Sequence, residues 1–387
     1  MANLKSRSGL ARLRAFWQRT SEGLSAHQLW AQFRRETRSS LSLYSAETGR
    51  NLSEEWSARK GRGRVLMAVA GAMFDRLTPA RRVLLLLALL LLIPGFDYTV
   101  GDRWQVSFHS TPSAAILILI LLLELADRVG LKRDLEIARD IQRMLLPEQP
   151  PSLPGLDIAF ATQAANTVAG DYYDAFLRPH TNNSRLLLIV ADVAGKGIPA
   201  GLLMAAVQTG FHTLAADPGT LPELTARLNG SMCERSGGGR HLITAFIAEL
   251  DTSTRSLTWV NAGHNPPMLL RSGGAVEYLR EGGIPLGALA ASSYESGQTD
   301  LRPGDGLFVY TDGVIEAMDD SGAEYGEERL SREIVALGSA SAAASLKRIF
   351  ESVNHYAAAV PQYDDITCLV LRVAAAGDGI QYGERGV

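Results

Sequence analysis

Residues 185–195, with the sequence RLLLIVADVAG, combine a run of apolar residues with an aspartate and a glycine. A short apolar run that ends at turn-forming residues is typical of a buried strand, so we predict a strand over residues 185–191. Asp192 comes directly after this strand. Aspartate is common at such places because its side chain hydrogen-bonds the neighbouring backbone in turns. This stretch alone predicts a strand and leaves the role of Asp192 open.

Three more acidic motifs occur at the ends of strand-like runs. In each, a carboxylate lies beside a glycine or in a turn, and strand ends can bring distant carboxylates together. Carboxylate oxygens without accompanying histidine or cysteine suit hard cations such as Mg²⁺ or Mn²⁺, and the carboxylates would repel one another without metal. The motifs are GDYYD at residues 170–174, YTDG at residues 310–313 and YDDIT at residues 363–367. Together with Asp192 they predict a metal centre.

A centre of this kind favours hydrolysis without a protein nucleophile. Two divalent ions about 3.5–4 Å apart can share a water molecule, lower its pKa and hold a phosphoryl group for in-line attack. The sequence agrees, since it contains no Cys-x5-Arg signature, GxSxG elbow or HExxH motif.

The region after residue 154 consists of short apolar runs separated by Gly, Asn and Asp. Strands predominate and do not alternate regularly with helices, which indicates packed sheets with helices outside, an α+β domain. We predict strands over residues 185–191, 242–249, 257–261, 306–311 and 366–373. We predict helices over residues 201–215, 221–235 and 341–356.

Further motifs accompany the acidic ones in a fixed order. They are LEIARDIQ at residues 135–142, LLP at 145–147, GKGIPA at 195–200, NAGHNP at 261–266 and IPLG at 284–287. With these motifs, residues 131–373 resemble the PPM-type protein phosphatases, specifically the bacterial SpoIIE/RsbU branch. The resemblance implies a four-layer sandwich of two central antiparallel β-sheets flanked by helices. It also implies two Mn²⁺ or Mg²⁺ ions and a phosphoserine or phosphothreonine substrate.

The resemblance assigns a role to each matching residue. Asp192 is expected to bridge both ions, with the carbonyl of Val193 as a further ligand. Asp312 and Asp364 are expected to complete the shell of one ion, and Asp171 to serve the other through water. Asp192 and Asp312 are the residues on which catalysis is expected to depend.

Two positions depart from the family pattern. The eukaryotic relatives have a histidine, a candidate acid for the leaving group, where this chain has Ala194. The branch usually has a second glycine where this chain has Ala169. The roles of Asp174, His264 and Asp365 stay open, and for His264 a turn residue that hydrogen-bonds the backbone is the favoured reading.

The N-terminal third differs in composition. Residues 1–64 carry thirteen Lys and Arg against five Asp and Glu. Apolar segments follow at residues 83–96 and within residues 104–123, and arginine and lysine flank the pair on both outer sides. These flanks predict a membrane hairpin with both termini in the cytoplasm, at the inner membrane. The predicted regions are a basic cytoplasmic N-terminal region (1–78), the hairpin (79–129), a helical regulatory linker (130–150), the phosphatase domain (151–375) and a flexible tail (376–387).

The linker has an apolar stripe at three- and four-residue spacing, which predicts one face of a helix. Two alternatives stay open for this stripe: it pairs with a second copy in a homodimer, or it packs on its own domain. The stripe consists of Leu131, Leu135, Ala138, Gln142 and Leu145.

The overall composition adds little. The formal net charge is −3, and we expect no nucleic-acid partner. The two cysteines, Cys233 and Cys368, are far apart without a CxxC partner, so neither a disulfide framework nor a zinc site is predicted.

These patterns together predict a membrane-anchored cytoplasmic protein phosphatase. By the family resemblance, its substrate is expected to be a STAS-type anti-sigma-factor antagonist in a partner-switching pathway. A non-catalytic signalling scaffold with the same fold is the alternative from another class. A small-molecule phosphomonoesterase is a third possibility, because metal-activated water does not itself choose the leaving group.

Overall fold

A computed structural model describes residues 71, 74, 77–91, 110–181, 184–235, 242–358 and 360–374. Packing divides the chain into two units, Met1–Arg128 and Val129–Val387. Most of the predicted N-terminal region and the whole of the predicted tail lie outside the described residues. The five predicted region boundaries stay predictions.

The first unit contains helix α1 (Pro79–Leu91) and the beginning of helix α2 (Ser110–Leu145), which continues into the second unit. Polar contacts join the two helices near both ends of α1. Arg81 binds Glu124 at 2.6 Å and Asp127 at 2.7 Å. Near the other end of the pair, the Ser113 hydroxyl donates to the Ala88 carbonyl at 2.8 Å.

The predicted membrane hairpin is not supported. Within the described part of the chain, the structure contains no helix with the length and apolar character needed to span a bilayer. Helix α1 has 13 residues, and at about 1.5 Å per residue it falls short of the roughly 30 Å of a hydrocarbon core. In α2 the apolar run ends at Glu124, followed by Asp127 and Arg128. Residues 92–109 lie outside the described residues.

Two sheets form the centre of the second unit, and every strand pair but one is antiparallel. The five-stranded sheet has the order β1-β11-β10-β6-β7. The six-stranded sheet has the order β2-β3-β4-β5-β8, with β9 also paired to β5 and β8 running parallel to β5. The strands are β1 Leu156–Gln163, β2 Tyr172–Leu177, β3 Arg185–Val193, β4 Ile243–Asp251, β5 Ser256–Ala262, β6 Met268–Leu270, β7 Val276–Tyr278, β8 Gly282–Gly283, β9 Gly297–Asp300, β10 Gly306–Tyr310 and β11 Ile366–Val373.

Helices cover the outer face of each sheet. Helices α3 (Ile198–Ala215) and α4 (Leu221–Arg235) share an apolar core with the six-stranded sheet. Helices α6 (Glu327–Ala336) and α7 (Ala342–Ala357) share another with the five-stranded sheet. A third core fills the space between the sheets. The short helix α5 (Asp312–Ile315) follows β10. The predicted four-layer α+β sandwich is confirmed.

Strand β3 explains how the layers are built. Its side chains alternate, as a strand requires, between the core under α3 and α4 and the core between the sheets. Leu187, Ile189 and Ala191 belong to the first core. Leu186, Leu188 and Val190 belong to the second. Asp192 continues the second series, so the strand directs its carboxylate towards the space between the sheets.

The structure shows what the end of the linker stripe contacts. Gln142 is buried and binds the backbone of Ala169, so this end of the stripe packs on its own domain, whereas Leu135, Ala138 and Leu145 are half-buried. Leu131 is exposed instead. A different set of apolar side chains on α2 is exposed, namely Ile137, Ile141 and Met144.

Candidate metal centre

The predicted aspartates meet at one end of the sandwich. The antiparallel pairing of Tyr172 with Ala191 brings Asp171 level with Asp192 in the six-stranded sheet. In the five-stranded sheet, β10 ends at Tyr310 opposite Cys368 of β11. The residues after β10 and before β11, among them Asp312 and Asp364, therefore lie at the same end.

Asp171 and Asp192 form the half of the site that belongs to the six-stranded sheet. Asp171 is only 2% exposed, and the hydroxyl of Thr311 donates to its carboxylate at 2.9 Å. Burial, followed by the charge of Asp192, raises the pKa of Asp171 well above its usual range. Burial, followed by Asp312 and Asp364, raises the pKa of Asp192 to about 7. Both carboxyls are destabilised as anions.

Asp312 and Asp364 form the half that belongs to the five-stranded sheet. Burial and the charge of Asp364 raise the pKa of Asp312. Asp364 is more exposed, and Lys196 lies 3.2 Å from its carboxylate. Lys196 also donates to the carbonyl of Tyr363. This lysine follows Asp192 in the chain, so it connects the loop after β3 with the loop before β11.

Gly313 allows the two loops of the five-stranded sheet to approach each other. A Cβ atom at this position would lie 2.1 Å from the carbonyl oxygen of Asp365. The glycine of the YTDG motif is therefore required by close backbone packing beside Asp312.

The side chain of Asp365 binds backbone N–H groups. Its carboxylate accepts hydrogen bonds from the N–H of Ala165 at 2.8 Å and of Gly170 at 2.6 Å. Burial raises the pKa of Asp365, while these N–H groups lower it. The side chain thus fixes the loop that leads into Asp171.

Two further residues whose roles the sequence left open lie in other surroundings. The Asp174 carboxylate accepts from the Tyr172 hydroxyl at 2.8 Å and lies 2.7 Å from Nε2 of His212 in α3. His264 is buried, its backbone N–H donates to Asn261, and its Nδ1 lies 3.0 Å from the Thr244 hydroxyl. Burial lowers the pKa of His264 to about 4, so this imidazole is neutral at pH 7.

The residues fit divalent cations by their chemistry. Among the residues that the structure describes, there is no group of three or more carboxylate, imidazole or thiol side chains placed to hold a metal ion. The side-chain donors that meet here are carboxylate oxygens, and the Val193 carbonyl lies beside them. A Cβ atom on Gly170 would lie 3.1 Å from this carbonyl oxygen, so the loop before Asp171 packs close to it. Burial, followed by the repulsion between neighbouring carboxylates, raises the pKa of Asp171, Asp192 and Asp312. A hard dication would relieve this repulsion.

A cavity of about 440 Å³ opens beside these carboxylates. Its walls combine charged groups of the centre with polar and apolar side chains from the end of α7 and the following loop. Among the lining residues are Lys196, Gly313, Glu316, Gln362, Tyr363 and Asp364.

Sequence reasoning missed the function of Thr311. Its hydroxyl donates to Asp171, lies 3.2 Å from the carbonyl of Asp365 and accepts from the N–H of Thr367 at 3.0 Å. One side chain therefore connects the two sheets at the centre. The signal in the sequence was the position of Thr311 directly before Asp312. A threonine next to a strand does not by itself indicate that its hydroxyl binds a distant carboxylate.

Comparisons with known proteins agree with this geometry. The family model for stage II sporulation protein E (SpoIIE) matches residues 182–374. The match lies in the C-terminal unit, which therefore resembles the SpoIIE/PP2C-type phosphatase domains of the RsbU branch, a class of metal-dependent serine/threonine phosphatases.

Individual relatives are moderately similar. Phosphoserine phosphatase RsbU of Bacillus subtilis is 28% identical over 243 residues, which cover 62% of this chain and 70% of RsbU. Protein IcfG of Synechocystis sp. is 27% identical over 278 residues, which cover 64% of this chain and 42% of IcfG. The structure of the SiaA-PP2C domain of Pseudomonas aeruginosa superposes on this chain with a TM-score of 0.56 at 21% identity. The superposition covers 64% of this chain and 98% of the SiaA-PP2C domain. This chain thus spans less than half of IcfG.

Proposed function

We propose that this protein hydrolyses phosphoserine or phosphothreonine on a protein substrate. The observation that carries the proposal is the group of buried, mutually repelling carboxylates beside an open cavity at the end of the sandwich. A scaffold that only binds partners gains nothing from such a group, because unpaired buried charges destabilise a fold.

The residues divide the work as follows. Asp192, with the Val193 carbonyl, Asp171, Asp312 and Asp364 would hold two Mn²⁺ or Mg²⁺ ions. When bound, these ions supply Lewis acidity and activate water for attack on phosphorus.

Other residues act on the phosphoryl and leaving groups. The ammonium of Lys196, half exposed at the cavity wall, adds positive charge where the phosphoryl group would lie. The side chain of Ala194 cannot donate a proton, so the leaving oxygen takes its proton from water or from a residue other than this one.

Turnover by the full chain tests the proposal. We expect hydrolysis of an aryl phosphate with Mn²⁺ and none with chelator. Asp192→Ala and Asp312→Ala should each reduce turnover by at least about a hundredfold. Asp320→Ala, on an exposed loop, is the matched control and should keep full activity. Unchanged turnover in both active-site variants would refute the metal assignment.

The substrate proposal rests on the family resemblance and on the named activity of RsbU. We propose a STAS-type anti-sigma-factor antagonist that carries one phosphoserine or phosphothreonine. Phosphoproteomics of a deletion strain should show one such protein gaining phosphate. If the purified full chain hydrolyses neither this protein nor small phosphates with metal present, the non-catalytic scaffold is favoured.

A homodimer through the linker helix is also proposed. Ile137, Ile141 and Met144 are exposed on α2, and their four- and three-residue spacing is that of a coiled-coil seam. Sedimentation of the full chain should give a dimer, and Ile141→Glu should give a monomer. Sedimentation of the parent protein as a monomer at micromolar concentration would refute the proposal.

The predicted location at the inner membrane, with the catalytic domain in the cytoplasm, stays a prediction. It rests on the apolar runs and their flanking arginines. Fractionation of cells that express the full chain tests it, and recovery of the whole protein in the cytosolic fraction would refute it.

A further inference from the structure

Gln142 of helix α2 makes an unusual contact with the loop that leads into the centre. Its side-chain Nε2 donates to the carbonyl of Ala169 at 2.6 Å, and the N–H of Ala169 donates to its Oε1 at 3.0 Å. One amide side chain therefore binds both backbone groups of one residue. Gln142 is 6% exposed, and a buried amide is tolerated only when its hydrogen bonds are made.

The bound residue lies two positions before Asp171. The next N–H, that of Gly170, donates to Asp365 at 2.6 Å. The peptide group that joins Ala169 to Gly170 is thus held on both sides, its carbonyl by α2 and its N–H by the residue that follows Asp364. With both in place, the backbone before Asp171 has little freedom to move.

The same spot contacts the helix that follows Asp192. A Cβ atom on Gly201 of α3 would lie 2.3 Å from Val168 and 3.5 Å from Nε2 of Gln142. Glycine at this position allows the α3 backbone to pack directly on the loop and on the glutamine. Gln142 therefore contacts two segments of the centre, the loop that carries Asp171 and the helix whose preceding loop carries Lys196.

We infer that Gln142 is a positioning residue that holds Asp171 in place for metal binding. The inference rests on the proposed function, and it deepens it by adding a residue outside the acidic motifs. It assigns to the end of α2 a direct effect on metal affinity, because any displacement of this helix pulls on the Ala169 peptide.

Gln142→Leu tests the inference, since leucine has a similar size and no hydrogen-bonding groups. Met144→Leu on the same helix is the control, because Met144 is 80% exposed. In the full-length, metal-free protein we expect faster hydrogen exchange at the Ala169 and Gly170 amides in the Gln142 variant alone. Titration calorimetry should show Mn²⁺ binding weakened by about tenfold to a hundredfold, the range found when an outer residue that orients a ligand is lost.

Gln142→Met provides a second variant in case the leucine protein does not fold. Its unbranched side chain can follow the path of the glutamine and makes neither hydrogen bond to Ala169, so the same loss of Mn²⁺ affinity is expected. Turnover of both variants should recover at high Mn²⁺ concentration. Unchanged exchange at Ala169, or Mn²⁺ affinity within twofold of the parent in a folded variant, would overturn the inference. These readouts need no turnover, so a parent protein that binds Mn²⁺ and hydrolyses nothing refutes the proposed function and leaves this test intact.

Discussion

Asp365→Ala gives the sharpest test of how the centre is held together. The substitution removes the acceptor for two backbone N–H groups, those of Ala165 and Gly170. Asp365 is 6% exposed, so water replaces these bonds poorly. Hydrogen bonds to a charged group contribute about 1.5–3 kcal/mol each, which gives about 3–6 kcal/mol for the pair.

Part of this loss is offset. Burial and the charge of Asp364 raise the pKa of Asp365, so removing the carboxylate also relieves repulsion among the remaining aspartates. We therefore expect the lower end of the range, about 3 kcal/mol of unfolding free energy. For a domain of this size, about 2–4 °C of melting temperature corresponds to each kcal/mol, so the metal-free protein should melt about 6–12 °C lower.

Differential scanning calorimetry of the metal-free full chain measures the effect. Asp320→Ala removes an exposed carboxylate and should shift the melting temperature by less than about 2 °C. If Asp365→Ala and Asp320→Ala melt within about 2 °C of each other, the reasoning is refuted, because Asp365 then does not hold the loop.

Three further predictions concern packing, pH and a buried ion pair. Gly313→Ala places a methyl group 2.1 Å from the Asp365 carbonyl oxygen, so turnover at saturating Mn²⁺ should fall at least about tenfold. Burial and the charge of Asp312 raise the pKa of Asp192 to about 7, whereas an unfolded aspartate titrates near about 3.9. The folded metal-free protein thus binds more protons than the unfolded chain between these values, so its stability should fall as the pH rises from about 4 through 7. Melting curves at pH 5 and pH 8 should show this difference, and saturating Mn²⁺ should remove it. Arg178→Met leaves Glu249, 2.6 Å from Arg178 in the parent, without its buried partner and should lower the unfolding free energy in urea by about 3–5 kcal/mol.

Matched variants separate these effects from general damage. Gly230→Ala adds a methyl group where no heavy atom lies within 4 Å and should keep full turnover. Arg185→Met removes a more exposed arginine that lies 3.4 Å from the same glutamate and should cost less than about 1 kcal/mol. A pH-independent melting temperature without metal would contradict the assigned repulsion at Asp192. Equal losses for the two arginine variants would contradict the role of burial at Arg178.

The sequence predicted the strands with long apolar runs and the longer helices of the domain. The strand predicted over residues 185–191 is β3, and helix α4 and strand β11 have the predicted bounds. Strands β1 and β2, the strands β6–β9 and the helices α5 and α6 were missed. β1 is mostly half-buried and β6–β9 have two to four residues each. Short strands gain their stability from neighbours distant in sequence, which a local pattern does not contain.

The candidate site was predictable to the level of its aspartates. The motifs predicted which carboxylates meet, because strand ends at one edge of a sandwich must be close. The functions of Asp365, Thr311 and Gln142 were not predictable, since each acts on backbone or side chains more than 25 residues away in the chain. The membrane hairpin was predicted from two apolar runs and the arginines and lysines that flank them, and these features do not fix the length of the helix that forms in each run.

Asp171 and Asp192 lie on one sheet, and Asp312 and Asp364 lie beside the other. This placement has a consequence for the lifetime of the protein. Without cations, the carboxylates of the two sheets repel each other at this end of the sandwich. Local unfolding should therefore begin at this end and expose the loops that carry the aspartates to proteases. A bound dication joins the sheets and stabilises the closed form by mass action. Cells that are short of the cation would therefore contain less of the protein.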